Sequence, residues 1–394
     1  MKFDTIPTPS YVIDEAKLKS NLEILADVQK KAGCRILLAQ KAFSSFVTYP
    51  LIGSYLAGAT ASGLFEARLG AQEMGKENHV FAPAYTKEEI RELDSLCDHI
   101  IFNSLTQLDK HYVNLTKEIG LRINPECSTQ EHGIYDPCGA YSRLGVRRET
   151  LEQALFKACG TNLSVAEAFA KTYPKVSGLH FHTLCEQNAD ALQKTLAAVE
   201  ERFGDLLALS QIKWLNMGGG HHITREDYDR DLLISEIQRM KETYKVEVYL
   251  EPGEAVALNA GYLVCQVMDI VENGRPILIT DASAACHMPD VLEMPYTPPL
   301  RGAKIADSKK EEAGILCRVS SRTCLAGDIT GDYLFSAMPK IGDRLVFEDM
   351  AIYSMVKNNT FNGMPLPDIW YLRENGEAEL VKRFSYEDFK ERLS

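Results

Sequence analysis

Several residues in this chain have the type and spacing for chemistry between an amine and a carbonyl. Lys41 comes one residue after the apolar run Ile36-Leu37-Leu38-Ala39. An amine at the end of such a run loses water on several sides, which lowers its pKa and frees it to condense with an aldehyde. On its own, Lys41 reads better as a lysine snorkelling from a strand end to solvent. Glu251-Pro252-Gly253-Glu254 sets carboxylates at a fixed turn. A carboxylate against a heterocyclic nitrogen keeps that nitrogen protonated and makes the ring an electron sink. Gly218-Gly219-Gly220 closes another apolar run, with helical sequence expected near Arg225, and such a turn presents backbone N–H groups to a phosphate. His180 and His182 lie two residues apart, on one face of a strand, so either is placed to stack on a ring. His221-His222 resembles a metal pair, but nothing at helical or finger spacing completes it, and no metal site is expected.

These groups need a scaffold that brings them to one place. Eight apolar runs alternate with helical stretches: 35–40, 58–61, 78–82, 98–102, 119–123, 176–182, 212–217 and 246–251. The run at 58–61 is the weakest, being small and Gly-rich. Eight β-α units predict a closed parallel (β/α)8 barrel, in which reactive groups come from the C-terminal ends of strands. Lys41, His182, the glycine triplet and Glu251 all fall at such ends. An amine, an imidazole, a glycine turn and a carboxylate at one mouth are what a pyridoxal phosphate site needs. A helix is predicted over 14–33, capped by Asp14 and ended by Gly33. The stretch 125–145 is long and polar, and reads as a functional loop.

After Gly253 the texture changes to short strands joined by turns, and the strand-like run Ser10 to Ile13 is placed to join them. The expected division is a barrel over 24–254 and a mostly-β domain from 1–23 and 255–394. Arg322-Thr-Cys324-Leu-Ala-Gly-Asp328 sets a thiol near a cation, which makes it a competent acid for returning a proton to carbon. Tyr353 and Phe361-Asn-Gly are further candidates that, taken singly, read as core packing.

Net charge is −12, which argues against a nucleic-acid surface and suits a cationic substrate. No apolar stretch is long enough to span a bilayer, and the first nine residues lack a secretion signal. The ten cysteines have no framework spacing and read as reduced thiols, so a cytoplasmic protein is expected.

Over nearly its whole length the pattern resembles the fold-type III pyridoxal-phosphate decarboxylases, which act on ornithine, diaminopimelate or arginine and share the alanine-racemase fold. The resemblance rests on Ala39-Gln-Lys41-Ala, Ala61-Ser62-Gly63-Leu-Phe-Glu66, Phe81-Ala-Pro-Ala, Ser142-Arg143-Leu-Gly145, His180-Phe-His182, the glycine triplet, Glu251-Pro-Gly, Cys324 and the Tyr353 segment. It implies pyridoxal 5'-phosphate as cofactor, Lys41 as its covalent attachment point and His182 as the stacking ring. It also implies cofactor contacts from Ser62, Arg143 and Tyr353, and a homodimer with shared active sites in which Cys324 serves the partner's site.

Departures from the family pattern point to substrate. Glu254 stands where relatives acting on ornithine or diaminopimelate carry Arg, and Leu325 where they carry an acid. Glu254 repels a phosphate or distal carboxylate and suits an ammonium. Glu251-Pro-Gly-Glu254, His182-Thr-Leu-Cys-Glu186, Thr323-Cys-Leu-Ala-Gly-Asp328 and His287-Met-Pro-Asp290 are similar to the carboxynorspermidine/carboxyspermidine decarboxylase branch. That similarity implies Glu254, Asp290 and Asp328 as contacts to substrate amines in polyamine biosynthesis. The alternatives are a diaminopimelate, lysine or ornithine decarboxylase, an inactive regulatory homologue, and a racemase, which Glu251 disfavours.

Overall fold

The computed structural model describes residues 3–130, 133, 136–307 and 313–394. The chain divides into two compact units, Asn21–Val256 and a second built from residues up to Ser20 together with Ala257–Ser394.

Short apolar runs separated by helices are buried on both faces when their strands close into a parallel ring. Strands are counted from β1 (Ser10–Asp14), which belongs to the second unit. The ring is then β2 (Arg35–Ala39), β3 (Gly58–Ala61), β4 (Glu77–Phe81), β5 (His99–Phe102), β6 (Glu118–Asn124), β7 (Val176–His180), β8 (Trp214–Asn216) and β9 (Glu247–Leu250). Each strand pairs in parallel with its chain neighbours, and β9 pairs with β2 to close the barrel. The expected barrel is present, including the weak run at 58–61. The helix Glu15–Ala32 starts where Asp14 accepts a hydrogen bond from the Lys17 amide (3.2 Å), and it ends at Gly33.

The end of the barrel away from the strand C-termini is packed by size matching. Trp214 is buried, and its indole occupies room that glycines on the two preceding strands leave open. A Cβ on Gly178 would lie 2.0 Å from that ring, and one on Gly120 2.4 Å. His79 and His99 face each other in register and stack at 3.9 Å, with Tyr249 and Trp214 around them. Glu77 carries the negative charge here, paired with Arg35 and with His79 Nε2 (2.9 Å). Burial works against its ionisation, but His79, Arg35 and the Tyr249 hydroxyl outweigh it and hold the carboxyl at about 2.

The second unit is a sheet formed by β1, β10 (Gly261–Glu272), β11 (Pro276–Thr280), β12 (Ala303–Ile305), β13 (Ile315–Ser321), β14 (Ile329–Phe335), β15 (Arg344–Glu348), β16 (Asp368–Leu372) and β17 (Ala378–Lys382). Its order is β12-β14-β13-β11-β10-β1-β16-β17, with β15 also on β10. The N-terminal strand therefore sits inside the sheet, antiparallel to β10 and parallel to β16. Its core includes Tyr11, Leu263, Leu278, Val319, Tyr333 and Phe347.

Gly178→Ala places a methyl group inside the Trp214 ring volume. Overpacking of this kind costs about 1–3 kcal/mol, so the variant should lose its barrel fluorescence signal at lower urea than the wild type. Equal midpoints would show that the indole has room to move.

Candidate active site

The C-terminal ends of β2, β7, β8 and β9 lie on one side of the ring, and the chemistry predicted from sequence collects there. Lys41 follows β2 by two residues. It keeps accessible surface at the mouth, yet protein surrounds it closely enough to lower its ammonium pKa. Desolvation is the main cause and the positive charge of Arg122 adds to it, while Glu251 and Glu254 pull the other way.

Glu251, just past β9, is buried. Asn216 Nδ2 donates to its Oε1 (2.8 Å) and His180 Nε2 lies 3.3 Å from its Oε2. Burial opposes ionisation, but these donors outweigh it and hold the carboxyl well below the usual carboxylate range. Burial also lowers the pKa of His180, which makes it a neutral N–H donor. Behind His180 stands Phe81, stacked at 5.3 Å, and behind Phe81 the buried Arg122, 4.4 Å over the ring. Burial lowers the Arg122 pKa to about 10, and the guanidinium also donates to the His182 carbonyl (3.1 Å).

His182 is fixed by Gly219, whose amide and carbonyl lie 2.9 and 3.1 Å from its Nδ1. Burial first, then the charges of Lys41 and Arg122, lower its pKa well below the ordinary value, so the ring stays neutral. This contact corrects the expectation for the glycine triplet. The Gly218 amide donates to Asn216 Oδ1 (2.8 Å) and that of Gly219 to His182, so both turn inward. Among the described residues only the Gly220 N–H of the three has no protein acceptor. Nor does a helix open near Arg225, since the next one is Arg230–Tyr244.

Arg143 is exposed, and Asn103 clamps its segment by donating to the Arg143 carbonyl and accepting from the Gly145 amide (both 2.8 Å). Within the 125–145 loop, Glu131, His132, Ile134 and Tyr135 lie outside the described residues. Ser62 is exposed, and its amide donates to Glu66 (2.6 Å), whose carboxyl pKa burial raises.

Glu254 opens the short helix Glu254–Ala257, with His222 Nε2 3.3 Å from its Oε2. One ligand atom each of Glu186, His222 and Glu254 lie within 4.8 Å of one another. The sequence left His222 without companions because Glu186 and Glu254 are far from it in the chain.

In the sheet unit, Cys324 is exposed and Tyr353 is half-buried at φ +50°. Asp290 is paired with Lys357, which also pairs with Glu293. Asp328 requires a correction. It is 1% exposed, and its oxygens accept from Ser283, Ser321 and Thr323 hydroxyls and the Ala285 amide. With those acceptor sites filled inside its own unit, it is not a contact for a substrate amine.

Sequence reasoning passed over Arg122 and Asn216. Arg122 is a lone cation between the apolar residues Leu121 and Ile123 of a buried strand, a signal that was present. Asn216 had none, because its role depends on β8 lying beside β9.

The family model described as "Pyridoxal-dependent decarboxylase, C-terminal sheet domain" matches residues 10–351. A carboxynorspermidine/carboxyspermidine decarboxylase of Campylobacter jejuni is 42% identical, covering 99% of each chain. A carboxyaminopropylagmatine decarboxylase of Synechocystis is 40% identical over 100% of this chain and 97% of that one. The crystal structure of Campylobacter jejuni carboxynorspermidine decarboxylase complexed with norspermidine superposes with TM-score 0.87 at 41% identity, covering 98% of this chain and 100% of that one.

The mouth fits pyridoxal phosphate: an amine with depressed pKa for the aldehyde, a buried anion for the ring nitrogen and a neutral ring for the ring face. Of the groups expected at the phosphate, the Gly220 amide has no protein acceptor among the described residues and Arg143 is exposed. Arg122→Met removes a positive charge that lowers the Lys41 pKa, so that pKa should rise. Cofactor uptake by the cofactor-free protein, followed by absorbance, should then need correspondingly higher pH. An unshifted pH profile would mean Arg122 has no influence on the amine.

Proposed function

The chain belongs to the pyridoxal-dependent decarboxylases, and from that premise we propose that it removes the α-carboxyl group of carboxynorspermidine or carboxyspermidine as CO2, leaving norspermidine or spermidine. The observation that carries the substrate is the group Glu186–His222–Glu254 at the barrel mouth. Two carboxylates beside an imidazole suit the ammonium groups of a long polyamine and repel the distal carboxylate of diaminopimelate. The similarity to decarboxylases named for carboxylated triamines supports the same reading.

Bound pyridoxal phosphate supplies the sink for the electron pair that remains when CO2 leaves. The residues around it have separate tasks. Lys41 presents at the mouth an amine whose pKa burial lowers, which favours its use as a nucleophile. Glu251 stays anionic and keeps a proton on the ring nitrogen. His182 would offer its neutral ring to the ring face of the cofactor, and Gly220, Ser62 and Arg143 would serve its phosphate end. Glu254 and Glu186 orient the substrate by its amines. Cys324 returns a proton to the carbon that lost the carboxyl group. We place Cys324 in the site of a second copy, in a homodimer with shared sites. A cytoplasmic setting fits the ten free thiols, and among the described residues no helix is long and apolar enough to cross a membrane.

A second reading is favoured by the 40% identity to the carboxyaminopropylagmatine enzyme. The same acidic group suits a guanidinium as well as an ammonium. CO2 release from carboxynorspermidine, carboxyspermidine, carboxyaminopropylagmatine, diaminopimelate, lysine and ornithine separates the readings. The carboxylated triamines should be preferred, and Glu254→Gln should raise their KM by about tenfold while changing kcat less. Preference for the agmatine derivative would adopt the second reading. Preference for diaminopimelate, or for lysine or ornithine, would overturn the substrate assignment, and no release from any would favour a regulatory homologue.

A further inference from the structure

Cys324 sits on an exposed loop, a poor place from which to deliver a proton to one face of a carbon, unless the loop is held still. The loop is held by a buried anion. Asp328 Oδ2 accepts from Ser283 Oγ (2.6 Å), Ser321 Oγ (2.5 Å) and Thr323 Oγ1 (2.5 Å), and Oδ1 accepts from the Ala285 amide (3.1 Å). The backbone of Asp328 is tied as well. Its amide donates to the Leu325 carbonyl (3.0 Å), and its carbonyl accepts from Ser320 Oγ (2.8 Å). Thr323, the residue before the cysteine, is therefore fixed from within the unit by both hydroxyl and amide, the amide donating to Ser321 Oγ (3.1 Å). From the other side, the Cys324 amide donates to Asn362 Oδ1 (2.6 Å). Asn362 itself sits at φ +61° in the turn Phe361–Gly363.

Hydroxyl-to-carboxylate bonds are among the strong ones, and a buried anion that lost them would be left without solvation. The cage is therefore all-or-none. While it holds, Ser321 to Asp328 has one conformation and the Cys324 side chain one exit direction. Leu325, next to the cysteine in the chain, and Phe361, next to Asn362, remain 42% and 51% exposed.

We infer that Asp328 and Asn362 are positioning residues that fix the Cys324 thiol for proton delivery. The inference rests on the proton-donor role proposed for Cys324. In that step the S–H bond breaks, and its proton joins the electron pair left on carbon by departing CO2. The thiolate then recovers a proton from water. A fixed thiol reaches one face only, whereas a loose thiol competes with water from both.

The test is turnover of carboxynorspermidine by the holoenzyme in D2O, with the configuration of the new CHD centre read by NMR after chiral derivatisation. Wild type should give one configuration. Asp328→Asn removes the charge with little change in volume, and Asn362→Ala loosens the loop without touching the buried anion. Both should give mixed configuration and lower kcat by about tenfold or more, with KM within about twofold. Asn362→Ala keeps the test decisive if the Asp328 variant does not fold. A single configuration with undiminished kcat from Asn362→Ala would overturn the positioning role. Cys324→Ala tests the underlying reading: if it too retains configuration and rate, Cys324 is not the donor and the inference falls with it.

Discussion

A carboxylate taken out of water at the end of a barrel strand stays ionised only if other groups replace its hydration, and the arrangement around Glu251 is built on that constraint. Asn216 and His180 supply the donors. Each is tied to something else that matters. Asn216 also accepts from the Gly218 amide, which shapes the glycine turn, and the next amide of that turn fixes the His182 ring. His180 stacks on Phe81, which in turn covers Arg122. Arg122 and Glu251 then act on Lys41 with opposite signs. The amine, the ring and the turn thus depend on one buried charge.

The two ends of the barrel use a similar device with different outcomes. Glu77 at the far end meets the cation Arg35 as well as an imidazole, and its charge is neutralised locally. Glu251 at the mouth is hydrogen-bonded by an amide and a neutral imidazole, so its donors satisfy its lone pairs without cancelling its charge. The remaining field is available to a protonated ring nitrogen. A full cation beside Glu251 would cancel that field.

Much of this was legible in the sequence. The period of apolar runs predicted the barrel, and groups at strand ends predicted Lys41, His182 and Glu251 at the mouth. Even the doubtful run 58–61 has a physical reason for its small residues, since a Cβ on Gly58 would lie 1.9 Å from the Glu77 carbonyl of the next strand. Other features depended on pairings that no local pattern reveals. The glycine triplet looked like a phosphate cradle, but two of its amides serve neighbouring side chains. Asp328 looked like a substrate contact because its segment resembles the carboxynorspermidine branch, whereas its position inside a ring of hydroxyls comes from segments far apart in the chain. His222 looked unaccompanied until Glu186 and Glu254 were placed beside it.

The central claim is that Glu251 is an anion throughout the range in which the enzyme works. The direct measurement is a 13C NMR titration of protein labelled at the glutamate carboxyl carbons, with the Glu251 signal assigned by its loss in Glu251→Gln. The account predicts a carboxylate shift that persists as the pH is lowered past the point where exposed glutamates protonate. A signal that titrates at or above the ordinary glutamate value would contradict it, and the neutral donors around Glu251 would then need another explanation.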